Sequence, residues 1–289
     1  MSKKISIGVI LSILFCCHIA VFTKLEGSRK SYLKKNLLQQ VRPVVPPSVA
    51  KLVGGEFQGV LADFLTIEAY SAIGIYLSDP DIRLRDIPLE SWGAINELLQ
   101  ASQNLDPYFL DNYQIQQGLF AWHVNPKKVV DFLKTGVEKR FWDGVLSYHI
   151  AFDYLYFLDD KLQASHYFKQ AYERSPNSFT FATLASKLLH QGGKTESGIL
   201  YLDGLLKNNT QSGEIKKALE MRLLALKGVL VIEKALSQYK NRFGIFPPNL
   251  HDLVFTGFLK EMPPNPYQVN YCLNESGQIE FDRVDCNMD

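Results

Sequence analysis

The sequence predicts an all-α solenoid, carried on an N-terminal transmembrane helix and closed by a small α+β module. Three observations point to this. The stretch from Ile5 to Phe22 has no charged side chain once His18 is taken as neutral. Between residues 90 and 228, small and large apolar residues recur with a period of about 34 residues, a length characteristic of helix-pair repeats. Beyond residue 229 the texture changes to one rich in Gly, Pro, Asn and Tyr.

The N-terminal stretch is dominated by Ile, Leu, Val and Phe. As a helix it reaches about 27 Å, just enough for a hydrocarbon core. A cleaved secretory signal needs small residues before the cut, which His18-Ile19-Ala20 supplies poorly. Lipid attachment at Cys16 or Cys17 needs a small residue where Phe15 stands. Residues 1–23 therefore read as an uncleaved anchor. Lys24, Arg29, Lys30, Lys34 and Lys35 outnumber Lys3 and Lys4, so a literal count of flanking charge puts the body in the cytoplasm. The very short tail before the span and the cysteine usage argue for export instead. Cys272 and Cys286 form a late, closely spaced pair of the kind an oxidising compartment joins, the alternative being two free thiols. The expected location is the bacterial inner membrane, single-pass, with a periplasmic body. The 31 basic and 30 acidic residues nearly cancel, which gives no electrostatic footprint for nucleic acid.

Residues 24–49 read as a charged, helix-friendly stem and a Pro-rich linker, broken at Pro43, Pro46 and Pro47. Residues 50–89 follow as an amphipathic helix and a loop. Val53, Phe57, Val60, Leu61, Phe64 and Leu65 recur at three and four, the mark of one apolar helix face. Glu56 and Asp63 share a face but stand about 10 Å apart along the axis, with nothing nucleophilic nearby, so they read as structural acids.

Residues 90–228 carry the repeat. One segment has Tyr148, Ala151 and Phe152, then Ala164, Phe168 and Ala171, closed by Pro176. One period back stand Tyr113, then Val129, Leu133 and Gly136; before those stand Ile95, Leu99 and Ser102, closed by Pro107 and with no first helix of their own. One period forward stand Ala182, Ser186 and Leu189, then Gly198, Leu202 and Leu205. Helices approach closely only where small residues sit at the crossing, and larger ones then fill the grooves. The spacing resembles the tetratricopeptide repeat, which implies a protein-binding scaffold and leaves the partner open. On that resemblance the concave face includes Gln114, Trp122, His149, Asp153, Tyr156 and Lys187.

Residues 229–289 form the last module. Gly244 stops a long helix, Pro247-Pro248-Asn249 starts a short one, and Pro263-Pro264-Asn265-Pro266 makes a turn. Residues 269–273 and 278–281 then alternate as a hairpin around 274–277. With Ala235, Tyr239, Leu250, Leu253, Gly257, Leu259, Tyr267, Tyr271 and Gly277, this arrangement resembles the C-terminal segment of type II secretion pseudopilins. The prepilin cleavage sequence of that family is missing. Gly193-Lys194-Thr195 ends like a phosphate loop, but Leu188 occupies the position that needs another Gly. No helix-spaced His pair, zinc-spaced cysteine cluster or Gly-x-Ser-x-Gly elbow is present. His149 and Asp153, four apart, read as a surface pair. The expectation is a membrane-anchored, protein-binding scaffold or accessory factor of an envelope, secretion or pilus-like assembly, with no metal, cofactor or nucleotide. A divergent cell-wall hydrolase and a pseudopilus component are the alternatives.

Overall fold

The computed structural model of the chain describes residues 13–25, 28, 47–176, 178–207, 213–274 and 277–282. These residues are mostly helical and divide into two units, Met1–Asn125 and Pro126–Asp289. The first eight residues of the expected span, like Cys286, lie outside the described residues. From Ile13 onward the span is helix α1 (Ile13–Leu25), whose side chains are exposed along its whole length.

The rest of the first unit is built on a pair of long helices. Helix α2 (Pro47–Gly54) runs through a 3-10 turn (Gly55–Phe57) into α3 (Gln58–Leu77). Gly55 sits at φ +48°, a conformation glycine adopts without steric cost, so the two helices meet at a bend. Helix α4 (Leu89–Leu105) packs along α3 and supplies Trp92, Ile95, Leu99 and Ser102 to the interior. The repeat register leaves these α4 residues without a partner helix, and α3 is that partner. Helix α3 buries Ala62, Thr66, Ala69, Ala72 and Ile73. The stripe the sequence suggested as its apolar face lies largely outside: Val53, Phe57, Val60 and Phe64 are 78%, 71%, 64% and 56% exposed. Close approach to α4 selects the small side chains, and the large ones are left on the far side.

A buried polar knot fixes that register. Ser102 donates its hydroxyl proton to the Ala62 carbonyl at 2.7 Å, Asn112 Nδ2 donates to Ser102 Oγ at 2.8 Å, and Thr66 donates to Asn112 Oδ1 at 2.8 Å. Each donor is matched, as burial requires. Asn112 comes from α5 (Leu110–Ile115), which continues through a π turn (Gln116–Phe120) into α6 (Ala121–His123). Trp92 meets Phe120 edge-on at 5.0 Å and stacks on His123 at 5.8 Å, tying that segment back to α4.

In the second unit, successive helices pack on their neighbours in chain order: α7 (Pro126–Lys139), α8 (Val145–Tyr156), α9 (Lys161–Arg174), α10 (Phe179–Gln191), α11 (Thr195–Lys207) and α12 (Gly213–Phe243). Val129, Leu133, Gly136, Ala151, Ala164, Phe168, Ala171, Ala182, Ser186, Leu189, Gly198 and Leu202 are all buried, while Tyr148, Phe152 and Leu205 are half-buried. Bonds between helices hold the stack. Ser165 donates to the Ala185 carbonyl at 2.8 Å, Ser147 to Gln170 at 2.9 Å, and Arg174 reaches the Val137 carbonyl at 3.0 Å. The Gly193-Lys194 turn caps α10: the amides of Gly192, Gly193 and Lys194 donate to Leu188, His190 and Leu189 carbonyls.

Helix α12 ends where Gly244 takes φ +78° and donates its amide to the Lys240 carbonyl. A short helix α13 (Asp252–Phe255) and a two-stranded antiparallel hairpin follow, β1 (Cys272–Leu273) and β2 (Ile279–Glu280), with Cys272 opposite Glu280. The strands are shorter than the alternating stretches that signalled them. Leu250, Leu253, Tyr271, Ile279 and Phe281 share one core with Tyr172, Ala182, Leu202, Leu219 and Leu226. Gly228 lets Tyr271 approach α12, since a Cβ there would stand 2.2 Å from the Tyr271 hydroxyl.

Candidate partner-binding surfaces

The six residues expected on a concave face have different surroundings. In the first unit, Gln114 on α5 and Trp122 on α6 are exposed. In the second, Tyr156 at the end of α8 is 60% exposed, stacked on Phe152 at 5.4 Å and edge-on to Phe157 at 4.9 Å. One and two turns earlier the same helix points inward. Asp153 is fully buried, and His149 is mostly buried, so loss of solvent pushes its imidazole below the ordinary histidine range. His149 Nε2 has no hydrogen-bond partner among the described residues. Lys187 on α10 is committed to Asp282 at 2.9 Å.

An exposed aromatic corner was missed by the sequence reading. At the turn between α7 and α8, Phe141 and Trp142 are 69% and 52% exposed and meet edge-on at 5.4 Å. The Arg140 guanidinium lies 5.3 Å from the Trp142 ring centroid and bonds Asp143 at 2.5 Å, which holds the corner in shape. The available signal was the run Arg140-Phe141-Trp142-Asp143-Gly144, where large aromatics sit in a turn without a repeat position to fill.

The densest polar cluster of the second unit lies where the hairpin meets α10 and α12. His190 is 3% exposed. Its Nε2 lies 2.7 Å from the Ile279 carbonyl, which only accepts, so that nitrogen carries a proton and donates. Its Nδ1 lies 2.9 Å from Thr195 Oγ1, and Thr195 donates to Glu233 at 2.8 Å. Gln278 Nε2 donates to the Gln191 carbonyl at 2.6 Å. Arg222 donates to Asp282 at 3.1 Å and lies 4.6 Å from the Phe281 ring centroid. Burial alone would raise the Asp282 carboxyl, but its hydrogen bonds and charge attraction to Lys187 and Arg222 outweigh that and hold it below the usual carboxylate range. The cavity beside them, lined by Lys187, His190, Gln278 and Phe281, holds only about 20 Å³, room for one water. The Thr195 hydroxyl and both ring nitrogens of His190 are engaged in holding elements together, so this cluster acts as a fastening. Among the described residues no group of three or more His, Cys, Asp or Glu is placed to hold a metal ion.

The segment Val49–Leu77 is long and apolar enough to cross a membrane by length and composition, with mean hydropathy 1.4. The bend at Gly55 and the packing of α3 on α4 make it part of the first unit, with its outer face uncovered. Comparison with protein-family models, with curated proteins and with solved structures returns no match.

Proposed function

We propose that the protein is a membrane-anchored scaffold that binds other proteins, as an accessory factor of an envelope, secretion or pilus-like assembly. The observation that carries this reading is the division of labour among its side chains. Buried polar groups such as Thr66, Ser102, Asn112 and His190 join elements to one another, while the large aromatic side chains of Trp122, Phe141, Trp142 and Tyr156 are at least half exposed to solvent. Exposed aromatics of this size are what contact surfaces are enriched in. The small buried residues Ala164, Ala171, Ala182 and Gly198 on successively packed helices support tetratricopeptide-like pairing as the architecture. The order of long helix, Gly244 stop, short helix, proline turn and hairpin supports the likeness to the pseudopilin end. In this chain α12 spends its apolar side on its own unit, through Leu219, Leu226, Val229 and Ile232, which favours a capping role over a filament subunit. Cys272 is disulfide-bonded, which supports a body in an oxidising compartment.

The test is site-specific photocrosslinking in living cells from positions 142 and 156, with 216 on the exposed side of α12 as control. Discrete adducts from 142 or 156, absent from 216, are expected. Identical patterns from all three positions would remove the partner-binding reading.

A further inference from the structure

The side of α3 turned away from α4 is apolar and open. Val53, Phe57, Val60, Phe64 and Ile67 follow one another at intervals of four and three, and each is more than half exposed. Phe57 to Ile67 alone cover about 15 Å of helix. An apolar surface left open on a folded unit marks contact with protein or with membrane.

Two observations choose membrane. Protein contacts carry about one hydrogen bond per 100–200 Å², and none of these five side chains can donate or accept one. Val49–Leu77 is also, among the described residues, the one helical segment whose length and mean hydropathy of 1.4 suit a bilayer. The fold sets which side meets it. On the inner side Thr66 is bonded to Ser102 and Asn112, and α4 beyond them exposes Glu90, Glu97 and Gln100. Crossing would carry those polar groups into lipid at high cost. Lipid therefore suits the outer side alone, with the helix lying along the surface. The charged residues of Val49–Leu77 are Lys51, Glu56, Asp63 and Glu68, one base against three acids. That balance does not draw the face to anionic lipid, so the surface it fits is zwitterionic.

We propose that the face formed by Val53, Phe57, Val60, Phe64 and Ile67 rests in the interfacial zone of a zwitterionic bilayer, which lays the first unit on the membrane. The face stands on its own residues, and takes from the anchor reading only its nearness to lipid.

Fluorescence quenching in the full-length chain tests this, in phosphatidylcholine vesicles carrying lipid brominated near the headgroup, with Cys16 and Cys17 replaced by Ser. A fluorophore on Val60→Cys or Phe64→Cys should be quenched several-fold more than one on Gln100→Cys, which is exposed on α4. Added phosphatidylglycerol should not increase the quenching. Phe64→Glu, or Val53→Glu as a second variant, should lower quenching at Val60→Cys several-fold, with the melting temperature of the variant unchanged because both positions are exposed. Quenching equal to that at Gln100→Cys would overturn the proposal, and so would quenching that needs phosphatidylglycerol. Stronger quenching by lipid brominated near the chain ends would make the segment a span and overturn it too. Concentration-dependent excimer emission from pyrene on Phe64→Cys, without lipid quenching, would give the face to a second copy instead. A fluorophore on Ile19→Cys in α1 reads the anchor separately. Quenching there but not at Val60→Cys sinks this proposal and leaves the anchor, and the reverse result sinks the anchor and leaves this proposal.

Discussion

At position 228 a single added methyl group would collide with the Tyr271 hydroxyl. Alanine in mid-helix is favoured over glycine by about 1 kcal/mol, yet overpacking a fitted site costs about 1–3 kcal/mol, so Gly228→Ala should lower stability by up to about 2 kcal/mol. Adding Tyr271→Phe removes the colliding oxygen and should recover part of the loss, at the expense of its 3.3 Å bond to the Pro264 carbonyl. Chemical denaturation of the three variants reads both effects. His149 makes a second expectation. Its folded pKa lies below its ordinary value because burial disfavours the imidazolium. The unfolded chain then binds more protons, so its contribution is full above pH about 6.5 and is lost as pH falls through the lowered value. His149→Leu should flatten the fall in melting temperature between pH 7 and pH 5, and equal falls in variant and parent would contradict the assignment. His149 read as a surface residue because spacing identifies which residues share a helix face and cannot say whether a neighbour covers it.

Small buried positions were the most legible. Ala164 was expected where a neighbouring helix leaves room for nothing larger, and it is fully buried. Ala164→Trp should therefore unfold the second unit or cost at least about 3 kcal/mol, while Lys194→Ala, exposed in the α10–α11 turn, should leave the melting temperature unchanged. Equal melting of both would mean that the crossing lies elsewhere. The inward face of α3 was illegible for a related reason. A pattern search weights Phe57 and Phe64 above Ala62 and Ala69, but close packing prefers the alanines, so the heavier stripe marked the wrong side. The polar knot was invisible too, because Thr66, Ser102 and Asn112 are far apart in the chain and each is unremarkable alone. Asn112→Ala leaves the Thr66 and Ser102 groups short of a partner and should cost about 1–3 kcal/mol, measured by urea titration.

For the molecule as a whole, the sequence could suggest an anchored helical body but could not fuse its last module to the stack, because the bonds that do so join residues 87 to 95 positions apart. Alkaline phosphatase joined after Asp289 should be active if the body is exported, and an inactive fusion with a fluorescent cytoplasmic counterpart would reverse that topology. Mass spectrometry of non-reduced peptides should recover Cys272 linked to Cys286, and recovery of both as free thiols would remove the expected pairing. The distances along the chain also bear on time. Helix-to-helix bonds such as Ser165 to Ala185 span 20 residues and form as soon as neighbouring helices exist, whereas the Lys187–Asp282 fastening must await a residue 95 positions further along. Loop closure makes such remote contacts slow, so the stack assembles first and the tail locks last. A chain cut short by translation or proteolysis before Ile279 would keep its helices but leave Lys187, His190 and Arg222 without their C-terminal partners. Ile279 and Asp282 thus close over α10 and α12 late, and a copy cut before Ile279 offers quality-control proteases a surface that the longer chain has covered.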